Sequence, residues 1–280
     1  MAIKIITDST SYIPKEIRES LDIKILSLEV NFEDMSFKET DIENFEFYKL
    51  LETKEIPRSS QPPIGEIYNE MKRIIEEGNE IVGVFLSSDM SGTYSTANLA
   101  KEMVLDEYPE AKIEIIDSRS NCMQLGYAAI VAARKAKEGQ SIGEVRQAVE
   151  ENIKRSRFLF IPENLVYLKK GGRIGGAGAL IGNILKIIPI LTVENGVTSV
   201  RAKVRTKNKA ISAMVDMMQK DNETFKIKEV MIHHINCPEE AQKLSLQVGE
   251  LLQMKVEICD IGPVIGLHVG PGAIGIVYYN

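Results

Sequence analysis

Ile3-Lys4-Ile5-Ile6-Thr7-Asp8-Ser9-Thr10 is a strand-like apolar run that stops at an acid and two hydroxyls. The same pattern returns twice: Ile81 to Leu86 runs into Ser87-Ser88-Asp89, and Ile113 to Ile116 runs into Asp117-Ser118. Between these β-rich segments lie helical patterns, with Ile67, Met71, Ile74 and Ile75 on one face and then Tyr94 to Val104. Strands alternating with helices of this length require crossover connections, and so predict a parallel sheet. In such a sheet the carboxyl ends of the strands share one edge, where ligands settle. A single cluster of this kind suits a plain helix cap; three on one edge point to a site.

Working outward, the pattern changes after the helix that carries Val145, Ala148, Val149 and Ile153. From Phe158 onward hairpins replace crossovers, which places a boundary near Arg157 and gives an N-terminal α/β domain (1–157) and a C-terminal α/β domain (158–280). Ile190 to Val193 and Val197 to Val204 flank Asn195-Gly196, the dipeptide suited to the positive φ angles of a tight hairpin turn. A helix with Ala241, Leu244, Val248 and Leu251 separates the strands Val230 to Ile235 and Val256 to Asp260, and Ile274 to Tyr279 forms a last strand. The fold class expected is α/β in two lobes, the first with a parallel sheet, the second with a mixed or antiparallel sheet and helices.

The chain has 280 residues, 44% hydrophobic and 26% charged, enough for two packed lobes. The net charge of -6 disfavours a general nucleic-acid binder. The first residues lack the charged and long apolar regions of a secretion signal. The longest apolar run, Ala177 to Val193, is broken by Gly182, Asn183, Lys186 and Pro189 and is too short for a membrane span. Cys122, Cys237 and Cys259 are odd in number and lie in apolar surroundings, as buried thiols do in a reducing compartment. A cytoplasmic protein without stable membrane insertion is expected.

Ser91-Gly92-Thr93 precedes the helix from Tyr94, so a hydroxyl and free backbone N–H groups meet at a positive helix end, which suits a carboxylate. Ser59-Ser60-Gln61-Pro62-Pro63 offers two more hydroxyls on a loop stiffened by proline, though a simple turn explains it as well. His268 stands between Gly266 and Gly270 in what reads as a glycine-rich loop, where an imidazole can donate to a carboxylate. Arg201, Lys203 and Arg205 alternate along one strand and share a face, fit for solvent or for an acidic partner. Other motifs fail. Gly270-Pro271-Gly272-Ala273-Ile274-Gly275 matches the dinucleotide fingerprint in letters, but no helix follows and no acid stands about twenty positions on. Gly171-Gly172-Arg173-Ile174-Gly175-Gly176 lacks the Gly-Lys-Ser/Thr ending of an ATP loop. His233 and His234 are adjacent rather than at i, i+4, and there is no Cys-x-x-Cys, so a metal is not expected.

Taken together, Thr7-Asp8-Ser9-Thr10, Ser59-Ser60-Gln61-Pro62, Leu86-Ser87-Ser88 with Ser91-Gly92-Thr93-Tyr94, Tyr167-Leu168-Lys169-Lys170-Gly171-Gly172-Arg173-Ile174 and Gly266-Leu267-His268-Val269-Gly270-Pro271-Gly272 resemble the DegV family of bacterial fatty-acid-binding proteins. The resemblance implies a two-lobed carrier with one long-chain fatty acid, such as palmitate, held between the lobes. It further implies a separate fatty acid kinase subunit that converts the acid to an acyl phosphate for phospholipid synthesis. By position, Ser91 and Ser59 would hold the carboxylate, Ser59 standing where the family more often has threonine. His268 would lie near the carboxylate and support phosphoryl transfer. Arg205 would serve that transfer or kinase docking, and Arg173 the neighbourhood of the site. Ile188 stands where the family commonly has lysine, and Gly176-Ala177-Gly178 is richer in glycine than usual. No cofactor and no catalytic residue of the chain's own are implied. The alternative from another class is a serine hydrolase using Ser91 or Ser87 with His268 and Asp8 or Asp117, although no Gly-x-Ser-x-Gly elbow is present. A ligand-responsive regulator is a third, without a clear DNA-binding helix pair.

Overall fold

Runs of β-branched residues bounded by acids and hydroxyls become the central strands of a parallel sheet in the computed structural model, which describes residues 1–180 and 187–280. The chain divides into two compact units. The first holds residues 1–31, 36–40 and 59–154; the second holds 32–35, 41–58 and 155–280. A single cut near Arg157 leaves 32–35 and 41–58 with the first lobe, whereas here they belong to the second unit.

In the first unit the strands run in the order Ile23–Leu26, Ile3–Asp8, Glu80–Phe85, Ile113–Asp117, all parallel. Alternation of side chains puts Ile6, Ile81, Phe85, Ile113 and Ile115 into one core with Ile67, Met71 and Ile74 of the helix Ile64–Glu76. The small residues Ala97 and Ala100, with Val104, let the helix Thr93–Glu107 close on the same core. The helix Cys122–Lys137 packs against the strands Ile3–Asp8 and Glu80–Phe85 and is buried along most of its length. Gly126 permits this approach: a Cβ there would stand 2.6 Å from the Ser11 carbonyl oxygen. A small sheet in the order Ser36–Lys38, Glu29–Asn31, Arg58–Ser60 completes the described strands of this part of the chain.

The second unit carries a six-stranded sheet in the order Val197–Val204, Ile188–Glu194, Ser156–Ile161, Ile274–Tyr279, Glu229–His234, Glu257–Asp260. Every pairing is antiparallel except the last, which is parallel. The expected hairpin is present, with φ 51° at Asn195 and 84° at Gly196. Helices Lys207–Phe225 and Pro238–Leu252 bury Met214, Met218, Leu244 and Val248 against Leu159, Ile161, Ile232 and Ile276. The alternate residues point to the opposite face, and these too are buried: Phe158, Phe160, Leu191, Met231, His233 and Val277. A sheet buried on both faces explains why these strands read as nearly continuous apolar runs. Of the longest apolar run, Ala177 to Val193, residues 181–186 lie outside the described residues.

Candidate functional site

At the carboxyl edge of the parallel sheet the backbone turns sharply and side chains take over its hydrogen bonds. Asp8, fully buried, accepts from the Thr10 amide at 3.0 Å, the Thr10 hydroxyl at 2.5 Å and the Leu86 amide at 2.8 Å. It therefore ties the end of one strand to the start of the loop after its neighbour. Burial nevertheless pushes its carboxyl up to about 6, outweighing those three bonds. One strand further out, Asp117 accepts from the Ser88 hydroxyl at 2.6 Å and the Arg119 amide at 2.8 Å. The Arg119 guanidinium donates to Ser88 Oγ at 3.0 Å and pairs with Asp89. Arg119 has φ 55°, a left-handed turn that folds its side chain back over the strand end.

Ser91, half-buried, sits where Ser87 to Thr93 coils into the helix Thr93–Glu107. Its hydroxyl lies 2.9 Å from Thr93 Oγ1 and accepts from the Thr93 amide at 3.3 Å. The helix cap is Gly92, which has no side chain to serve the first-turn amides. Two hydroxyls and a helix N-terminus thus meet at one point, an arrangement able to hold a carboxylate. Ser59, half-buried in the strand Arg58–Ser60, lies two residues before Gln61, whose side chain reaches this group. Gln61 donates to Thr96 Oγ1 at 2.5 Å, and its Oε1 lies 2.1 Å from where a Cβ on Gly92 would stand. Sequence reading placed the Ser59 loop and the Ser91 loop on separate elements; Gln61 is the residue it missed, and its adjacency to Ser59-Ser60 was the only signal.

In the second unit His268 is not in a loop, as expected, but in the helix Pro263–Val269. Glycines at 262, 266 and 270 read as breakers, yet Pro263 is well placed in a first helical turn and Gly270 closes the end with φ 89°. Gly266 is needed for contact instead: a Cβ there would stand 2.3 Å from Tyr48 Oη. That hydroxyl donates to the Ile261 carbonyl at 2.6 Å, so Tyr48 of the helix Asn44–Thr53 fixes the entry of the His268 helix. Tyr48→Phe is expected to lower the stability of this unit by about 1 to 2 kcal/mol, because a buried carbonyl loses its donor; an unchanged urea midpoint would contradict the role.

Gly171 leaves room for the imidazole: His268 Nδ1 lies 2.3 Å from where a Cβ would stand. The exposed Arg173 donates to the Gly171 carbonyl at 2.7 Å. Burial, with a smaller contribution from the Arg173 charge, pushes His268 down to about 4, so its ring is neutral near pH 7 and keeps one N–H donor. His268 and Arg173 are thus brought together. Arg205 is exposed between the strand Val197–Val204 and the helix Lys207–Phe225. Among the described residues no group of three or more His, Cys, Asp or Glu is placed to hold a metal ion, and no helix is long and apolar enough to cross a membrane.

The three histidines, at 233, 234 and 268, all lie in the second unit, so no Ser–His pair forms inside the first. There, Asp8 and Asp117 serve backbone amides, and the fully buried Ser87 hydroxyl accepts from the Asp89 amide at 3.3 Å.

Comparison with known proteins gives a consistent result. The family model described as "Uncharacterised protein, DegV family" matches residues 2–280. A DegV domain-containing protein of Clostridium acetobutylicum is 58% identical over 280 residues, covering 100% of this chain and 98% of the relative. Protein DegV of Bacillus subtilis is 35% identical, with 99% of each chain covered. The crystal structure described as DegV, a fatty acid binding protein from Bacillus subtilis, superposes with a TM-score of 0.89 at 33% identity, covering 100% of this chain and 99% of that one. A DegV family protein from Thermus thermophilus, described by its fatty acid binding, gives a TM-score of 0.89 at 27% identity with both chains fully covered.

Proposed function

The chain belongs to the DegV family, and from that premise we propose that it binds one long-chain fatty acid and presents the carboxylate to a separate kinase subunit. The observation that carries the reading is the meeting of the Ser91 and Thr93 hydroxyls at a helix start whose cap residue, Gly92, has no side chain, on the carboxyl edge of a parallel sheet. Ser91 is the direct carboxylate contact in this proposal, Ser59 a second hydroxyl, and His268 a neutral imidazole donor. A buried carboxylate is costly without such partners. Arg173, beside His268, and the exposed Arg205 are assigned to kinase docking or support of the transfer. Burying about fifteen methylenes at roughly 0.8 kcal/mol each gives around 12 kcal/mol gross, before ordering costs are subtracted. The kinase brings ATP and its metal in this scheme, and this chain supplies a positioned nucleophile, since phosphoryl transfer depends mostly on positioning and charge.

Native mass spectrometry of gently purified protein is expected to show one fatty acid per chain, released on denaturation. Ser91→Ala is expected to weaken binding of palmitic acid about ten- to a hundredfold, the value of one hydrogen bond to a charged group. An empty protein that also ignores added fatty acids sinks the reading. Purified alone, the chain is expected to leave ATP and activated esters untouched; ester cleavage blocked by a serine-directed phosphonate would favour the hydrolase instead.

A further inference from the structure

An anion held at Ser91 would sit among acids of its own unit. The two loops that build this corner, Leu86 to Gly92 and Asp117 to Asn121, carry Asp89, Asp117 and Arg119, a net charge of -1. Asp8 is bonded to the first of these loops at the Leu86 amide. Asp89 is the exposed acid of the group and stands two residues before Ser91. The Met90 and Ser91 amides both donate to the Ser87 carbonyl, at 3.0 and 3.1 Å, so Asp89 rides on the same tight turn as the Ser91 hydroxyl. A bare carboxylate on that turn would repel an anionic ligand.

Arg119 answers that charge. Its guanidinium donates to the Asp89 carboxylate, to Ser88 Oγ at 3.0 Å and to Asp117 at 3.3 Å. The reach depends on φ 55° at Arg119, a backbone region that residues with a side chain enter uncommonly and that glycine or asparagine enters most easily. Folding stability does not account for an arginine there. The Arg119 and Asp89 side chains are 41% and 47% exposed, and ion pairs of that kind contribute little. A cation kept at an awkward backbone position, and aimed at the acid beside a carboxylate site, has an electrostatic use instead.

We propose that Arg119 is a positioning residue that sets the charge specificity of the Ser91 site. Without touching the ligand, it neutralises Asp89, so that the Ser91 and Thr93 hydroxyls and the helix start at Thr93 present a field that an ionised acid can enter. A neutral lipid of the same length gains nothing from this arrangement. The inference rests on the carboxylate reading of Ser91 and adds to it the residue that favours the ionised acid.

The test measures binding of palmitic acid and of 1-hexadecanol to the delipidated full-length chain at low salt and about pH 8, where a carboxylic acid is ionised. Counting Asp89, Asp117 and Arg119, the two loops carry -1 in the wild type, -2 in Arg119→Gln, 0 in Asp89→Asn and -1 in the double variant. Each unit of charge is expected to change the affinity for palmitic acid about three- to tenfold. Asp89→Asn should therefore bind it most tightly and Arg119→Gln most weakly, with the double variant within about twofold of the wild type. Affinities for 1-hexadecanol are expected to agree within about twofold across all four proteins. A double variant as weak as Arg119→Gln overturns the proposal, since the loss then follows the bonds of Arg119 and not its charge; so does an equal loss of 1-hexadecanol binding. If palmitic acid does not bind the wild type, the carrier reading fails and the proposal with it. Should Arg119→Gln not fold, Asp89→Asn alone decides: a gain for palmitic acid that fades as salt is added supports the proposal, and an unchanged affinity overturns it.

Discussion

Lowering the pH from 6.5 to about 4.5 is expected to remove about 5 kcal/mol of folding stability from the second unit. The buried rings of His233 and His268 titrate at about 3 and about 4 in the folded protein, against an ordinary value of 6.5. Across this window the unfolded chain takes up two protons that the folded chain refuses, so stability is full above 6.5 and is lost as pH falls. Each proton costs roughly 1.4 kcal/mol per pH unit. His234 is shifted in the same direction by burial and adds to the effect. Asp8, in the first unit, has the opposite sign. Its folded value of about 6 exceeds the ordinary 3.8, so its proton is held by the folded state and acid stabilises that unit by about 2 kcal/mol over the same range. Urea titrations followed by circular dichroism, with hydrogen exchange to separate the units, are expected to show the second unit losing protection first as pH drops. Equal protection of both units from pH 6.5 to about 4.5 would remove the basis for neutral buried histidines.

Asp8→Ala is expected to destabilise the first unit by about 3 kcal/mol near neutral pH, since the buried Leu86 and Thr10 amides lose their acceptor together. The loss is partly offset because a costly buried charge goes with it. Two readouts separate these contributions. Below about pH 5, where wild-type Asp8 is protonated, the gap between variant and wild type should widen, because the wild type gains stability there and the variant does not. Fatty-acid binding should weaken as well, since Leu86 opens the loop that leads to Ser91. A variant as stable as the wild type at both pH values would show that Asp8 does not fasten that loop.

The parallel sheet was legible because its grammar is local and repeated: an apolar run, then an acid or hydroxyl, then a helical period. The Asn195-Gly196 hairpin was legible because two adjacent residues determine it. The His268 helix was not, because the partner that makes Gly266 acceptable is Tyr48, whose hydroxyl bonds a carbonyl 213 positions away. Ser91 could be read from hydroxyl spacing before a helix. The contact between the Gln61 loop and the Ser91 loop could not, since it depends on the Gln61 side chain reaching Gly92 and Thr96. The shifts at Asp8 and His268 arise mainly from burial, which no spacing encodes. His233 appeared in the sequence only as a failed metal pair, because the face a strand residue occupies emerges from register with strands far along the chain.

The interleaving of the two units has a consequence during synthesis. The chain emerges from the ribosome N-terminus first, and Phe47 and Tyr48, both buried in the finished protein, belong to a unit whose sheet begins only at Ser156. The whole of residues 59–154, belonging to the first unit, is made while that apolar segment waits for its partners. A nascent chain is therefore expected to expose a sticky helix for most of its elongation, which makes residues 44–53 a natural holding point for a chaperone. For the same reason, the fragment beginning at residue 158 lacks the tyrosine that seats its own histidine helix.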